Sequence, residues 1–302
     1  MPPANPFLTG GGPVPALGTA YFSARVLRHL APDLRELARS GFTWVNFPLT
    51  EQDVCFAPGL AVDLVTAARD AGLEAWLSPW GVGGVFGGEG LSAVAHHGAR
   101  SPAVADAVAR WLACAVAAAP DGLFWDEPRD RLGGGPMGDL LVGWLREGQL
   151  AGLTNHVCFE PGYGWPDPAV LAGRVGSVGT DPYDWQPTPA EQAAYVTRHA
   201  HALRAYADGA GCAAHLWVRA FRVERGRADL AVAALRAAWV SGAARVGLWS
   251  YRAGEGLSCL ASEDADGLWA RLLEAVPETV PAVGWCPGLA CRDHVNASSG
   301  EE

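Results

Sequence analysis

One phrase recurs along this chain and limits what it can fold into: an alanine-rich helical stretch, a glycine, then a short apolar run that halts at a proline or polar residue. It reads ELARSGFTWVNFP at 36–48, AARDAGLEAWLSP at 67–79, AAAPDGLFWDEP at 117–128 and WVSGAARVGLWSY at 239–251. The glycine is expected to end each helix in the left-handed conformation that other residues resist. The run that follows is rich in Val, Leu, Phe and Trp and shows no clear polar alternation, as expected of a parallel strand buried on both faces. The helices carry their own periodicity. Leu30, Leu34 and Leu37 stand at i, i+4 and i+7 ahead of Gly41, and Leu60, Leu64, Ala67 and Ala71 repeat the pattern ahead of Gly72. Ser101–Pro102 supplies a cap and a first turn, after which Val104, Val108, Trp111, Leu112 and Ala115 form one apolar face.

Counted through the chain, the pattern predicts strands near 15–21, 42–48, 73–78, 121–126, 153–159, 175–181, 213–219 and 245–250, each followed by a helical segment, the fifth of them short at about 166–173. Alternating strands and helices make a parallel sheet. Eight such units in 302 residues predict the α/β class and a single closed (β/α)8 TIM barrel. An open Rossmann sheet would want a phosphate-binding fingerprint after its first strand, where this chain has GTAYFSAR. The barrel is expected over 13–281, with a flexible N-terminal segment at 1–12 and a C-terminal tail at 282–302.

The chain contains no lysine, which excludes Schiff-base, pyridoxal-phosphate and Walker-type phosphate-loop chemistry. A formal net charge of −10 argues against nucleic acid and anionic membranes as partners and fits a neutral or cationic small-molecule or oligosaccharide substrate. The first residues show no basic start followed by an apolar run, and no stretch has membrane-spanning character, so a cytoplasmic protein with reduced thiols is expected. Cys286, Cys291 and His294 cluster near the C-terminus, but their spacing matches no common zinc site. Neither a metal nor a cofactor is expected. Oligomeric state leaves no mark in the sequence.

Barrel chemistry sits at the C-terminal ends of the strands. Strand four ends in Trp125–Asp126–Glu127–Pro128, strand five runs into Glu160–Pro161, and strand six ends in Asp181–Pro182–Tyr183–Asp184–Trp185. Strand two leads to Glu51 and Asp53. Strand three leads to Trp80 and the glycine-rich loop GVGGVFGGEG, which carries Glu89. That loop does not open a helix with dinucleotide-binding spacing and reads instead as a mobile flap over substrate. Strand seven gives Trp217 and Arg219, and strand eight gives Trp249, Tyr251 and Arg252. Acids at successive strand ends could cap the helices that follow them. Set beside Tyr21, Trp80, Trp125, Tyr183, Trp185, Trp217, Trp249 and Tyr251, they are also what glycosidic hydrolysis needs: two carboxyl groups about the scissile bond, and flat apolar faces for sugar rings. His156 and His215, within strands five and seven, could meet inside the barrel. Strand one ends at Tyr21, without the His-x-His pair of many metal-dependent barrel hydrolases.

LFWDEP at strand four, PWGVGGVFGGEG after strand three, GTDPYDW at strand six and VGLWSY at strand eight together resemble barrel glycoside hydrolases and glycoside-hydrolase-like domains, over about residues 14–276. The resemblance implies catalytic carboxylates in one of two arrangements. In retaining enzymes with the acid/base on strand four and the nucleophile on strand seven, Glu127 would be the acid/base. This chain departs from them at strand seven, HLWVRAFRVE, which has no acid before Glu224. In galactosidase-like barrels, Asp126 would be the nucleophile and Asp181 the acid/base. The resulting expectation is a glycosidase using Glu127 or Asp126 together with Asp181, with Glu160 as a further catalytic candidate. Tyr21, Trp80, Glu89, Tyr183, Trp217, Trp249 and Tyr251 would line the substrate site, and Arg219 would hold hydroxyls or an anionic group. A saccharide-binding barrel without activity, and a lyase or isomerase using a divalent metal, are the alternatives.

Overall fold

A computed structural model of the chain describes residues 14–23, 26–88, 92–129, 137–162, 165–254 and 259–276. Eight parallel strands close into a barrel in chain order: β1 (Ala16–Ala20), β2 (Trp44–Leu49), β3 (Glu74–Pro79), β4 (Gly122–Asp126), β5 (Thr154–Phe159), β6 (Ser177–Thr180), β7 (Ala213–Arg219) and β8 (Arg245–Trp249). Around them run α1 (Leu27–Arg39), α2 (Glu51–Phe56), α3 (Leu60–Asp70), α4 (Pro102–Ala118), α5 (Gly138–Leu150), α6 (Pro168–Leu171), α7 (Pro189–Ala210), α8 (Ala228–Trp239) and α9 (Ala265–Ala275). No helix among the described residues is long and apolar enough to cross a membrane. The segments 1–12 and 282–302, Glu89, and the Cys286, Cys291 and His294 cluster lie outside the described residues.

Helix periodicity decides which side faces the sheet. Leu30, Leu34 and Leu37 of α1 are each at most 1% exposed, and burying one leucine contributes ~2 kcal/mol. Ser101 caps α4 by accepting a hydrogen bond from Val104 N at 3.3 Å, ahead of Pro102 at the first helical position. The glycine rule holds at Gly41 and Gly72, with φ of 86° and 79°. It fails after α4. There Ala119 takes the left-handed position at φ 47°, and Gly122 belongs to β4. Glycine is needed at 122 for another reason: a Cβ there would stand 2.7 Å from His156 Cδ2.

That contact belongs to a wider pattern. Inward positions of β1, β4, β6 and β8 carry Gly18, Gly122, Gly179 and Gly247, and any Cβ on them would strike Trp44, His156, His215 or Trp217. Large rings on β2, β3, β5 and β7 therefore fill space that glycines leave open, which is how a barrel interior becomes a packed core. Trp44 stacks on Trp76 at 4.4 Å and Trp76 on His156 at 3.8 Å, while Phe124, Trp217 and Trp249 continue the column upward. At its floor, Arg245 pairs with Glu74 at 2.8 Å and lies over the Trp76 ring. His156 and His215 do meet inside the barrel. Ser177 Oγ bridges their Nδ1 atoms at 2.7 and 2.9 Å, and burial pushes both imidazoles toward the neutral form, His215 to about 3.

Candidate active site

Side chains alternate along a strand, so the residues that fill the lumen predict which ones reach the mouth. On β4 the inward series is Gly122, Phe124, Asp126. On β5 it runs His156, Cys158, Glu160, and on β6 it runs Ser177, Gly179, Asp181. Register sets Asp126 beside Cys158 and Cys158 beside Gly179, so these positions form adjoining parts of one rim. Asp126 and Asp181 are both buried, at 6% and 4% exposure. Thr180 pins β6 to β5 just before Asp181 by donating to Phe159 O at 2.8 Å.

Glu127 breaks the alternation. Continued extension of β4 would turn its side chain away from Asp126. Instead its φ is +42°, a left-handed value costly for a residue with a Cβ, and its N–H still donates to Cys158 O at 3.0 Å. The carboxyl thereby comes within hydrogen-bonding reach of Asp181. That contact disfavours ionisation of Asp181, because like charges side by side carry a large penalty.

The electrostatics follow from this crowding. Burial raises the Asp181 pKa well above the carboxylate range, helped by the Glu127 charge and hydrogen bond and then by Asp126 and Glu160. Burial and Glu127 do the same to Asp126. The Cys158 thiol lies directly beneath and is held protonated by burial and by Asp181, Asp126 and Glu127. Tyr183 also stays protonated, through burial and then Asp181. Asp181 Oδ1 is buried and has no hydrogen-bond partner among the described residues.

Glu160 stands at the same rim, ion-paired with Arg129. Trp80 is partly exposed above the column and packs on Trp249 at 5.4 Å and Phe22 at 5.0 Å. Trp249, whose peptide bond to Ser250 is cis, is 4% exposed. Trp217 is deeper, 1% exposed among Trp44, Phe124 and Trp249. Tyr183 lies against Phe221. Arg219 sits between the Trp185 and Phe221 rings and donates to the carbonyls of Phe221, Tyr183 and Arg222, so its fork holds loop backbone.

Several expected members stand apart from this group. Tyr21 and Tyr251 pack together between barrel and helices, ring centroids 5.0 Å apart, with Tyr21 donating to Asp33 at 2.6 Å. Asp53 forms a capping box with Thr50 at the start of α2, and Glu51 accepts from Gly83 N at 2.7 Å. The glycine-rich loop is packed along 81–88. Phe86 is fully buried against Trp125 and Trp144, Gly87 N donates to Asp126 O at 3.1 Å, and Arg129 N donates to Val85 O at 2.9 Å. A Cβ on Gly87 would overlap Asp126 Oδ2, and one on Gly88 would stand 2.6 Å from Trp80 Cε2. This part of the loop packs as a wall against the acids. Cys158 and Arg129 were not anticipated as neighbours of the acids, nor Phe22 as a neighbour of Trp80 and Trp249. Alternation along β5 would have exposed Cys158, two residues before Glu160.

No family model matches the chain, and no curated protein matches it in sequence. Solved structures do match in fold. A provisionally assigned alpha-L-fucosidase from Bacteroides thetaiotaomicron superposes with a TM-score of 0.61 at 12% identity, over 88% of this chain and 96% of that one. A GH5_18 protein from Bifidobacterium longum gives 0.56 at 13% identity, over 86% and 78%. The endo-beta-1,4-mannanase from Thermotoga petrophila gives 0.57 at 10% identity, over 89% and 77%. At these identities the likeness establishes the (β/α)8 barrel that the chain shares with glycoside hydrolases.

Proposed function

We propose that this protein hydrolyses an O-glycosidic bond, with Asp181 and Glu127 as its carboxyl pair. The observation that carries the reading is a buried carboxyl, Asp181, in hydrogen-bond contact with Glu127 at the ends of β6 and β4. The C-terminal rim is where barrel enzymes do chemistry, and carboxyl pairs there serve glycoside cleavage. Asp181, kept protonated by burial and by its neighbour, donates its proton to the departing glycosidic oxygen. Glu127 acts as nucleophile at the anomeric carbon, or as the base that deprotonates a water attacking that carbon, and water completes the hydrolysis in either case. Hydrogen-bonded carboxyl groups are closer than the ~5 Å of a retaining pair. The bound sugar therefore replaces the Asp181–Glu127 hydrogen bond, the glycosidic oxygen accepting the Asp181 proton in place of Glu127. Trp80, with Tyr183 across the rim, offers partly exposed aromatic surface to a sugar face.

A variant of the GH5_18 protein has been solved in complex with Manb1-4GlcNAc, and such saccharide-binding neighbours support a saccharide here as well. The test is a panel of oligosaccharides incubated with wild type, Glu127→Gln and Asp181→Asn. Release of reducing sugar by wild type, cut at least ~10³-fold in both variants with folding unchanged, supports the assignment. Full turnover in both variants defeats it. One observation favours a binding protein instead: β7 ends on Arg219, with its guanidinium held by backbone carbonyls, and offers no acid. Saturable oligosaccharide binding without product over long incubation would select that reading.

A further inference from the structure

A mechanism that uses Asp181 and Glu127 leaves Glu160, ion-paired with Arg129, and Asp126, which has no task. Asp126 is buried beside Glu127, and Glu160 and Asp181 stand on the neighbouring strands. The positive groups described at this rim are already engaged, Arg129 with Glu160 and Arg219 with three backbone carbonyls. Asp181 Oδ1 adds a buried acceptor without a partner. Hydroxyl groups of a neutral sugar could donate to these oxygens but would leave the buried carboxyls protonated. An ammonium group does more: it supplies donors, and it lets a buried carboxylate ionise. The partly exposed Trp80 ring, which flanks Gly87 together with Asp126, offers a face that attracts cations.

Building on the proposed glycosidase reading, we propose that the saccharide is an amino sugar with a free, unacetylated amine, and that Asp126 receives that amine. Asp126 is kept protonated by burial and by the Glu127 charge. The amine takes the place of that proton, so binding releases protons and tightens as pH rises from 5 toward 7. The groups that face this exchange are Glu127 on β4, Cys158 and Glu160 from β5 with Arg129 on Glu160, and Asp181 and Tyr183 from β6, with Arg219 at the rim; β3 contributes only Trp80, and its loop Gly87.

The experiment is isothermal titration of the full chain with glucosamine and galactosamine oligosaccharides and with their N-acetylated counterparts, at pH 5 and pH 7, in two buffers of different ionisation enthalpy. Wild type is expected to bind one free-amine form at least tenfold more tightly than its acetylated counterpart at pH 7, with proton release. In Asp126→Asn that preference disappears while the acetylated form still binds. Equal affinity for the two forms, or a preference that survives Asp126→Asn, overturns the inference. If neutral saccharides are nonetheless hydrolysed, the glycosidase reading stands without it; if no saccharide binds and none is cleaved, both fail.

Discussion

Replacing His215 separates the protein's two opposed responses to pH. His215 is fully buried, its Nδ1 bound to Ser177 and its Nε2 against Gly179, where even a Cβ would collide. Its folded-state pKa falls to about 3 from 6.5, chiefly by burial and then by Arg245. A depressed histidine pKa means that the unfolded chain binds the proton first. Stability from this group is therefore complete above pH 6.5 and is lost as pH falls toward 3, at about 1.4 kcal/mol per pH unit. From pH 7 to pH 5 the loss comes to ~2 kcal/mol. Asp126 and Asp181 pull the other way: their raised pKa values favour the folded state below the ordinary carboxylate range and cost stability as pH rises. The wild-type profile is thus a sum of opposite slopes, and the informative quantity is the difference between wild type and His215→Gln. Urea unfolding at pH 7, 6 and 5 should show the wild type's advantage over the variant shrinking by ~2 kcal/mol, whatever its size at pH 7. A difference that does not change across this range would refute the claim that His215 is held neutral in the folded barrel.

Three further outcomes follow from the same structure. Asp181→Asn should gain thermal stability relative to wild type as pH rises from 4 to 7, since it removes a carboxyl that the fold keeps protonated but the unfolded chain ionises; calorimetry at the two pH values checks the sign. Gly87→Ala should cost about 1–3 kcal/mol by driving a methyl into Asp126 Oδ2, and should lower saccharide turnover at least tenfold, a split that unfolding curves and kinetics read separately. Ser177→Ala should cost about 1–3 kcal/mol by stranding two imidazole nitrogens, yet leave turnover within twofold, because the pair lies at the barrel floor; lost activity in a folded variant would contradict this.

The barrel was legible because its signal is repeated. The eight predicted strands coincide with the observed ones to within one or two residues, and leucines at 30, 34 and 37 are buried as their spacing requires. Alternation also carried Asp126 and Asp181 to a common rim. Glu127 was visible as an acid at a strand end, but its turn into the site depends on a left-handed backbone that no residue type announces at that position. Tyr21, Trp217 and Tyr251 show why aromatic composition alone misleads: lumen, helix layer and mouth all take large rings, and only register against Gly18, Gly122, Gly179 and Gly247 tells them apart. Arg219 looked like a ligand contact in sequence, whereas its hydrogen-bond partners in the structure are backbone carbonyls of its own and a neighbouring loop. The short α2 escaped notice because Glu51 and Asp53 read equally well as rim acids or as first-turn residues, and the Thr50 cap decides for the second.

In the proposed mechanism Asp181 holds the proton delivered to the leaving group while Glu127 acts at the anomeric carbon. Leaving-group dependence tests it most directly, by measuring kcat/KM for wild type, Asp181→Asn and Glu127→Gln on glycosides of one sugar with leaving groups from alkyl alcohols to dinitrophenol. A good leaving group needs no proton. The account therefore predicts that the Asp181→Asn defect falls from about 10³-fold on the alkyl glycoside to about tenfold or less on the dinitrophenyl glycoside, whereas Glu127→Gln is equally impaired on both. An Asp181→Asn defect of the same size on every leaving group, or none at all, would contradict it.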